Sequence, residues 1–139
     1  MERISGEEAR ARVLRYAEDS YGVLPDYPWI TEPDYAVLRH PDGGRKWFAV
    51  IMLLPASRLG IRGDAPVHVM NVKCDPALIG ALIDRKSYFP AYHMNKEHWL
   101  SVRLDGGAPD EEIFRLTDLS FALTSDRRVP KAGRELPKD

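Results

Sequence analysis

Apolar positions recur at helical spacing near both ends of the chain, and as alternating or continuous runs between them. Ala9, Val13, Tyr16 and Ala17 fall on one stripe, with Arg10, Arg12 and Arg15 on the solvated side. Ser5 with Glu8 three residues on has capping-box spacing and opens this helix, which Gly22 ends. Pro25 to Pro33 holds three prolines and neither period, which predicts an extended loop. Tyr35 to Arg39 and Trp47 to Leu54 read as strands. Pro41-Asp42-Gly43-Gly44 between them supplies residues that tolerate positive φ, so a hairpin is expected.

Ser57 to Asp64 reads as a connector with two glycines. Val67, Val69 and Val72 begin a third strand whose alternation is interrupted by Met70. Asp75-Pro76 is a helix start, an aspartate cap followed by proline in the first turn, and Leu78, Ile79, Leu82 and Ile83 form the buried stripe. A loop follows. Trp99 to Leu104 is a fourth strand with Trp99 or Leu100 facing the core, and Asp105-Gly106-Gly107 is its turn. Pro109 to Thr124 is a last helix with acids in its first turn and Ile113, Leu116, Ser120 and Leu123 inside.

The order α-β-β-β-α-β-α predicts an α+β fold, a mainly antiparallel sheet with helices on one face. A parallel doubly wound sheet needs more crossovers than this chain offers. Residues 1–125 are expected to form one domain. The basic, proline-containing stretch 126–139 is expected to be a frayed tail.

Composition fits this picture. The chain has 139 residues, 44% hydrophobic and 29% charged, which is ordinary for one globular domain. A single cysteine, Cys74, excludes an internal disulfide and a cysteine-rich zinc site. The N-terminus lacks the apolar core of a signal peptide, and the run Trp47 to Pro55 is too short to span a membrane, which takes about 20 residues. A cytoplasmic location with no membrane partner is the expectation by elimination. The net charge of −1 argues against a strongly basic nucleic-acid binder, but charge is segregated. Arg85, Lys86, Lys96 and Arg103 face one acid, Glu97, in their segment, whereas Asp105 to Asp118 is acidic.

Catalytic motifs are absent from the sequence: there is no phosphate loop, dinucleotide glycine motif or nucleophile elbow. His93 and His98 are five residues apart, unlike a helical zinc pair, and a third ligand beyond Glu97 is missing. Cys74 stands before a helix cap that could lower its pKa, but a free cysteine at a strand end is more often a small buried hydrophobe. The expectation is therefore no enzyme activity, no cofactor and no metal.

The stretch Pro90-Ala91-Tyr92-His93-Met94-Asn95-Lys96-Glu97-His98-Trp99 is different. Its hydrogen-bonding heads and two aromatics read either as a loop anchored by Tyr92 and Trp99 or as a polar surface able to meet phosphate or base edges. With Asn71-Val72-Lys73-Cys74-Asp75-Pro76, Leu104-Asp105-Gly106 and Pro109, this stretch resembles the MmcQ/YjbR-like family. The likeness runs from about Glu7 to Thr124 and is most specific between Asn71 and Gly106. It implies a fold like that of the frataxin CyaY and secretion chaperones, with no enzyme activity or cofactor. It also implies DNA binding through a double wing of β-hairpins.

On that reading Arg39, Arg45, Lys46, Lys73, His93, Asn95, Lys96 and His98, joined by His40, contact nucleic acid, while Cys74, Asp75, Pro76, Tyr92 and Trp99 maintain the fold. The alternative is a protein-interaction or chaperone-like module, or a homodimer, using Tyr27-Pro28-Trp29-Ile30. Two departures stand out: the inserted-looking Arg39 to Arg45 hairpin, and Leu119 where the family commonly carries histidine.

Overall fold

A computed structural model of the chain describes residues 5–125. Met1 to Ile4 and residues 126–139, including the expected tail, lie outside the described residues. The elements are α1 (Ser5–Tyr21), β1 (Ala36–Arg39), β2 (Trp47–Pro55), a short 3-10 turn (Ala56–Leu59), β3 (Pro66–Lys73), α2 (Pro76–Leu82), β4 (Tyr88–Pro90), β5 (Trp99–Arg103) and α3 (Asp110–Thr124). The α+β architecture is as expected, with one addition. The loop before the last strand contributes the three-residue β4, too short to carry a periodic signal.

The five strands form one sheet in the order β1-β2-β3-β5-β4, every pair antiparallel. The interior strand β2, Trp47-Phe48-Ala49-Val50-Ile51-Met52-Leu53-Leu54-Pro55, is apolar throughout because both of its faces are covered. Its pairing with β1 slips between Leu38 and Arg39, so Trp47 rather than Phe48 meets Arg39. This bulge leaves Phe48 and Ala49 in the same core cluster. Beyond β1 the chain pairs once more, Asp26 and Val37 exchanging backbone hydrogen bonds of 2.8 and 2.9 Å, which closes off part of the exposed edge.

Helices α1, α2 and α3 cover one face. Ala9, Val13 and Ala17 of α1, Ile79 of α2, and Ile113 and Leu116 of α3 pack on Leu38, Phe48, Ile51, Met70, Val72, Leu100 and Val102. Leu123, expected inside, is 51% exposed. Thr117 and Thr124 take the inner positions instead, their hydroxyls bonded to the carbonyls of Ile113 and Ser120.

The other face is covered by loops. Val37, Val50, Met52, Val67, Val69 and Phe89 pack there against Trp29, Tyr35, Trp47, Tyr92 and Met94. The irregular pattern of β3 now has a cause: Val67 and Val69 belong to this loop-covered face and Met70 and Val72 to the helix-covered one. No helix among the described residues is long and apolar enough to cross a membrane.

Candidate functional site

Strand register brings the sequence-identified residues together. Arg39 ends β1, Trp47 opens β2, Lys73 ends β3 opposite Trp99, and Pro90 ends β4 opposite Leu100. The 40–46 turn and the 91–98 loop therefore lie at the same end of the sheet, with Arg39, Arg45, Lys46, Lys73, His93, Asn95, Lys96 and His98 all at that end. Cys74, Asp75 and Pro76 follow Lys73 directly.

The loop is held by a polar network built on the strands. Asn71 and Ser101 are cross-strand partners and fully buried. Ser101 donates to Asn71 Oδ1 (2.5 Å), Asn71 Nδ2 donates to the Tyr92 carbonyl (2.8 Å), and the Tyr92 amide donates to Ser101 Oγ (3.0 Å). Each member meets another's need, which makes buried polar groups tolerable here. Asn95 Oδ1 accepts from the amides of Glu97 (2.8 Å) and His98 (3.2 Å), an Asx-type turn. The Cys74 amide donates to the His98 carbonyl (2.8 Å) and ties the loop to the start of α2. His93 takes the left-handed conformation, φ 64°, with its ring 3.9 Å from that of Tyr92.

The candidate contact residues fall into two groups. Arg45, Lys46, His93, Lys96 and His98 are exposed. Arg39 is occupied: Nε lies 2.7 Å from Asp26 Oδ2 and the guanidinium stands over the Trp47 ring. Lys73 is half-buried with Nζ 6.0 Å from the Trp99 ring centroid, a cation–π distance. Asn95 serves the turn. His40 is buried, stacked on Phe121 with Nε2 2.8 Å from Thr124 Oγ1, so it is not available on the hairpin surface. Burial pushes its pKa down.

Cys74 is the buried hydrophobe that the plainer reading expected. Burial pushes its thiol pKa up, against any helix-terminus effect. Asp75 Oδ2 caps α2, accepting from the Ala77 amide at 3.1 Å. Among the described residues no three His, Cys, Asp or Glu side chains converge as a metal set.

Beside this end, on the loop-covered face, lies a half-open cleft of about 310 Å3. Trp29, Tyr35, Trp47 and Tyr92 are its aromatic lining, Val50, Met52 and Asn71 of the sheet its buried base, and Glu32, His93 and Met94 complete it. Two successive turns shape one side: the Glu32 amide donates to the Trp29 carbonyl (3.2 Å) and the Tyr35 amide to the Glu32 carbonyl (3.0 Å). The sequence offered Trp29 as a surface patch or a cap on the core, Glu32 as part of an acidic loop and Tyr35 as the start of a strand, and did not join the three in one site. Asn71 entered only with the family motif, yet a polar residue inside an apolar strand was a signal of its own.

A second seam fixes α3. Ser120 Oγ donates to the Phe48 carbonyl (2.6 Å) and accepts from the Lys73 amide (2.8 Å), bridging β2 and β3. The family model described as YjbR matches residues 19–123, the span that contains this serine, the polar network and the cleft. The chain belongs to the YjbR family. It is 38% identical over 115 residues to the uncharacterized protein YyaQ of Bacillus subtilis (strain 168), covering 83% of this chain and 97% of that one. The uncharacterized protein YjbR of Escherichia coli (strain K12) is 40% identical over 68 residues, 48% of this chain and 57% of its own length. A Pseudomonas syringae protein of known crystal structure superposes with a TM-score of 0.80 at 46% identity, over 84% of this chain and 98% of that one. Deinococcus radiodurans protein DR2400, at 23% identity and a TM-score of 0.67, shares the fold over 90% of this chain and 84% of its own. The YjbR assignment bears out the resemblance carried by Asn71 to Gly106.

Proposed function

We propose that this YjbR-family chain is a non-catalytic nucleic-acid-binding module that meets the DNA backbone with the end of the sheet bearing the 40–46 turn and the 91–98 loop. The observation that carries the reading is the gathering of Arg45, Lys46, Lys96, His93 and His98 at that end, all exposed. Lysine and arginine on two neighbouring loops suit phosphates spaced along a strand. The helix-covered face is less suited to DNA, since α1 and α3 carry eight acids against four arginines. Asp42, Asp75 and Glu97 also lie at the basic end, so binding is expected to be weak and to rest on few phosphate contacts.

Fluorescence anisotropy with a labelled duplex tests this. With Arg45, Lys46 and Lys96 each neutralising a phosphate, the log–log salt slope should be about −3, and each Lys→Ala or Arg→Ala change should reduce it by about one. No binding at low salt, or binding that ignores salt, rejects the reading.

A second reading, a protein-interaction surface, has one observation in its favour. Leu24, Tyr27 and Ile30 are 67%, 53% and 94% exposed on the loop after α1. Ile30→Glu, rather than a change at Trp29 inside the cleft, tests it. A larger assembly on gel filtration that dissociates in the variant supports this surface; a monomer in both removes the homodimer.

A further inference from the structure

Trp29 meets Trp47 at an interplanar angle of 89° and Tyr35 at 79°, with ring centroids 5.7 and 5.8 Å apart. These three rings meet edge to face along one side of the cleft. The face of an aromatic ring carries the negative end of its quadrupole. Among the residues lining the cleft Glu32 is the one carboxylate, no lysine or arginine is among them, and His93 stands at the rim. The Tyr35 phenol registers this environment: burial first, then Glu32, pushes its pKa up. Trp47 already accepts a cation, Arg39, at 5.7 Å from its centroid, and Asp26 neutralises that arginine at 2.7 Å. Arg58 also touches the lining, its Nη1 donating to the Tyr92 hydroxyl at 2.7 Å.

We propose that this cleft binds a compact organic cation, a methylated ammonium group, seated against the rings of Trp29, Trp47 and Tyr92 with Glu32 as its counter-charge. The volume of about 310 Å3 is at the small end of ligand sites, which suits a head group rather than a polymer. Methylation weakens hydration of the ammonium and spreads its charge over carbon, so ring faces replace its water at little loss. The inference does not rest on DNA binding: the two sites share Tyr92 and His93 of the 91–98 loop, but neither the 40–46 turn nor Lys96 lines the cleft.

Choline is the probe. Titrated into the full chain and followed by tryptophan fluorescence and by indole N–H signals in NMR, it should give a saturable response. Its uncharged isostere, 3,3-dimethylbutan-1-ol, should bind about tenfold more weakly, the share owed to charge on aromatic faces. Glu32 is exposed, so Glu32→Gln should keep the melting temperature and weaken choline several-fold, while Arg58→Gln should tighten it. A trimethyllysine peptide run beside choline separates a protein side chain from a free solute: the tighter of the two identifies the source. Equal binding of alcohol and cation overturns the proposal, as does unchanged affinity in Glu32→Gln. So does the absence of saturation by both cations, or displacement of choline by a nucleoside that binds more tightly than it does.

Discussion

The two faces of the sheet are built by opposite means. On the helix-covered face Phe48, Leu38, Ile51, Leu100 and Ile113 are fully buried, and aromatic rings close ranks: Phe121 stacks on Tyr21 and His40, and both Tyr21 and Phe121 meet Phe48 edge-on. Tyr16 and Tyr21 direct their hydroxyls to the same carboxylate, Asp118. On the loop-covered face Trp29, Tyr35 and Trp47 also meet edge to face, but there they border a cleft. Helices deliver side chains at fixed spacing and fill space. Loops shaped by prolines and short turns deliver the same residue types with gaps, and gaps are where ligands fit.

The sharpest way to break this contrast is to truncate one aromatic on each side. Phe48→Ala should lower stability by about 3–5 kcal/mol, since it empties a closed core that cannot collapse. Trp29→Ala should lower it by less than about 2 kcal/mol, because the ring is half-buried beside space that already exists. Urea unfolding of the two variants checks the ranking, and equal losses would mean that the loop-covered face is packed as tightly as the other.

The helix side also depends on one hydroxyl. Ser120→Ala removes the donor to the Phe48 carbonyl and the acceptor for the Lys73 amide, both where the β2–β3 ladder ends beside the bulge. A loss of about 1–3 kcal/mol is expected, the penalty for leaving buried backbone groups unpaired. Amide exchange at Lys73 should quicken more than at Met70, further along the same strand.

The helix side was the more legible in the sequence. Ala9, Val13 and Ala17 of α1 and Ile79 of α2 follow from spacing, with Tyr16, Leu78, Leu82 and Ile83 only half-buried, and the hairpin and the cap at Asp75 follow too, because periodicity and capping are local. Leu123 misled, since helical spacing alone does not fix which side of α3 meets the sheet when threonines can satisfy their hydroxyls inward. The loop-covered face was nearly opaque. Trp29 and Trp47 are far apart in sequence and meet only after the sheet forms, and a loop gives no period by which to pair them. The gathering of Arg45, Lys73 and Lys96 at one end is likewise a product of strand order. The residues were identifiable; their neighbourhood was not.

The smallest expected effect concerns acid. Two histidines, His40 and His68, have pKa values pushed below the ordinary 6.5, burial being the first cause in each, with Arg10 reinforcing it at His68. Both belong to the helix side: His40 stacks on Phe121, and His68 lies against Gly6 of α1. A histidine kept neutral by burial binds its proton more readily in the unfolded chain. Its contribution is therefore complete above pH 6.5 and is lost as pH falls through the lower folded value. Asp84 acts in a different window. Its Oδ1 accepts from the amides of Lys86, Ser87 and Tyr88 at 2.9–3.0 Å, which pulls its pKa below 3.8, so its contribution persists until the pH drops below that value. The contributions of the two histidines therefore fall between about pH 4 and 6.5, above the window of Asp84. His40→Phe, which keeps the stack on Phe121 and leaves the Thr124 hydroxyl bonded to the Ser120 carbonyl, should flatten part of the acid slope, with His68 holding the remainder. An unchanged slope in that variant would place the acid sensitivity at His68 and detach it from the aromatic packing around Phe121.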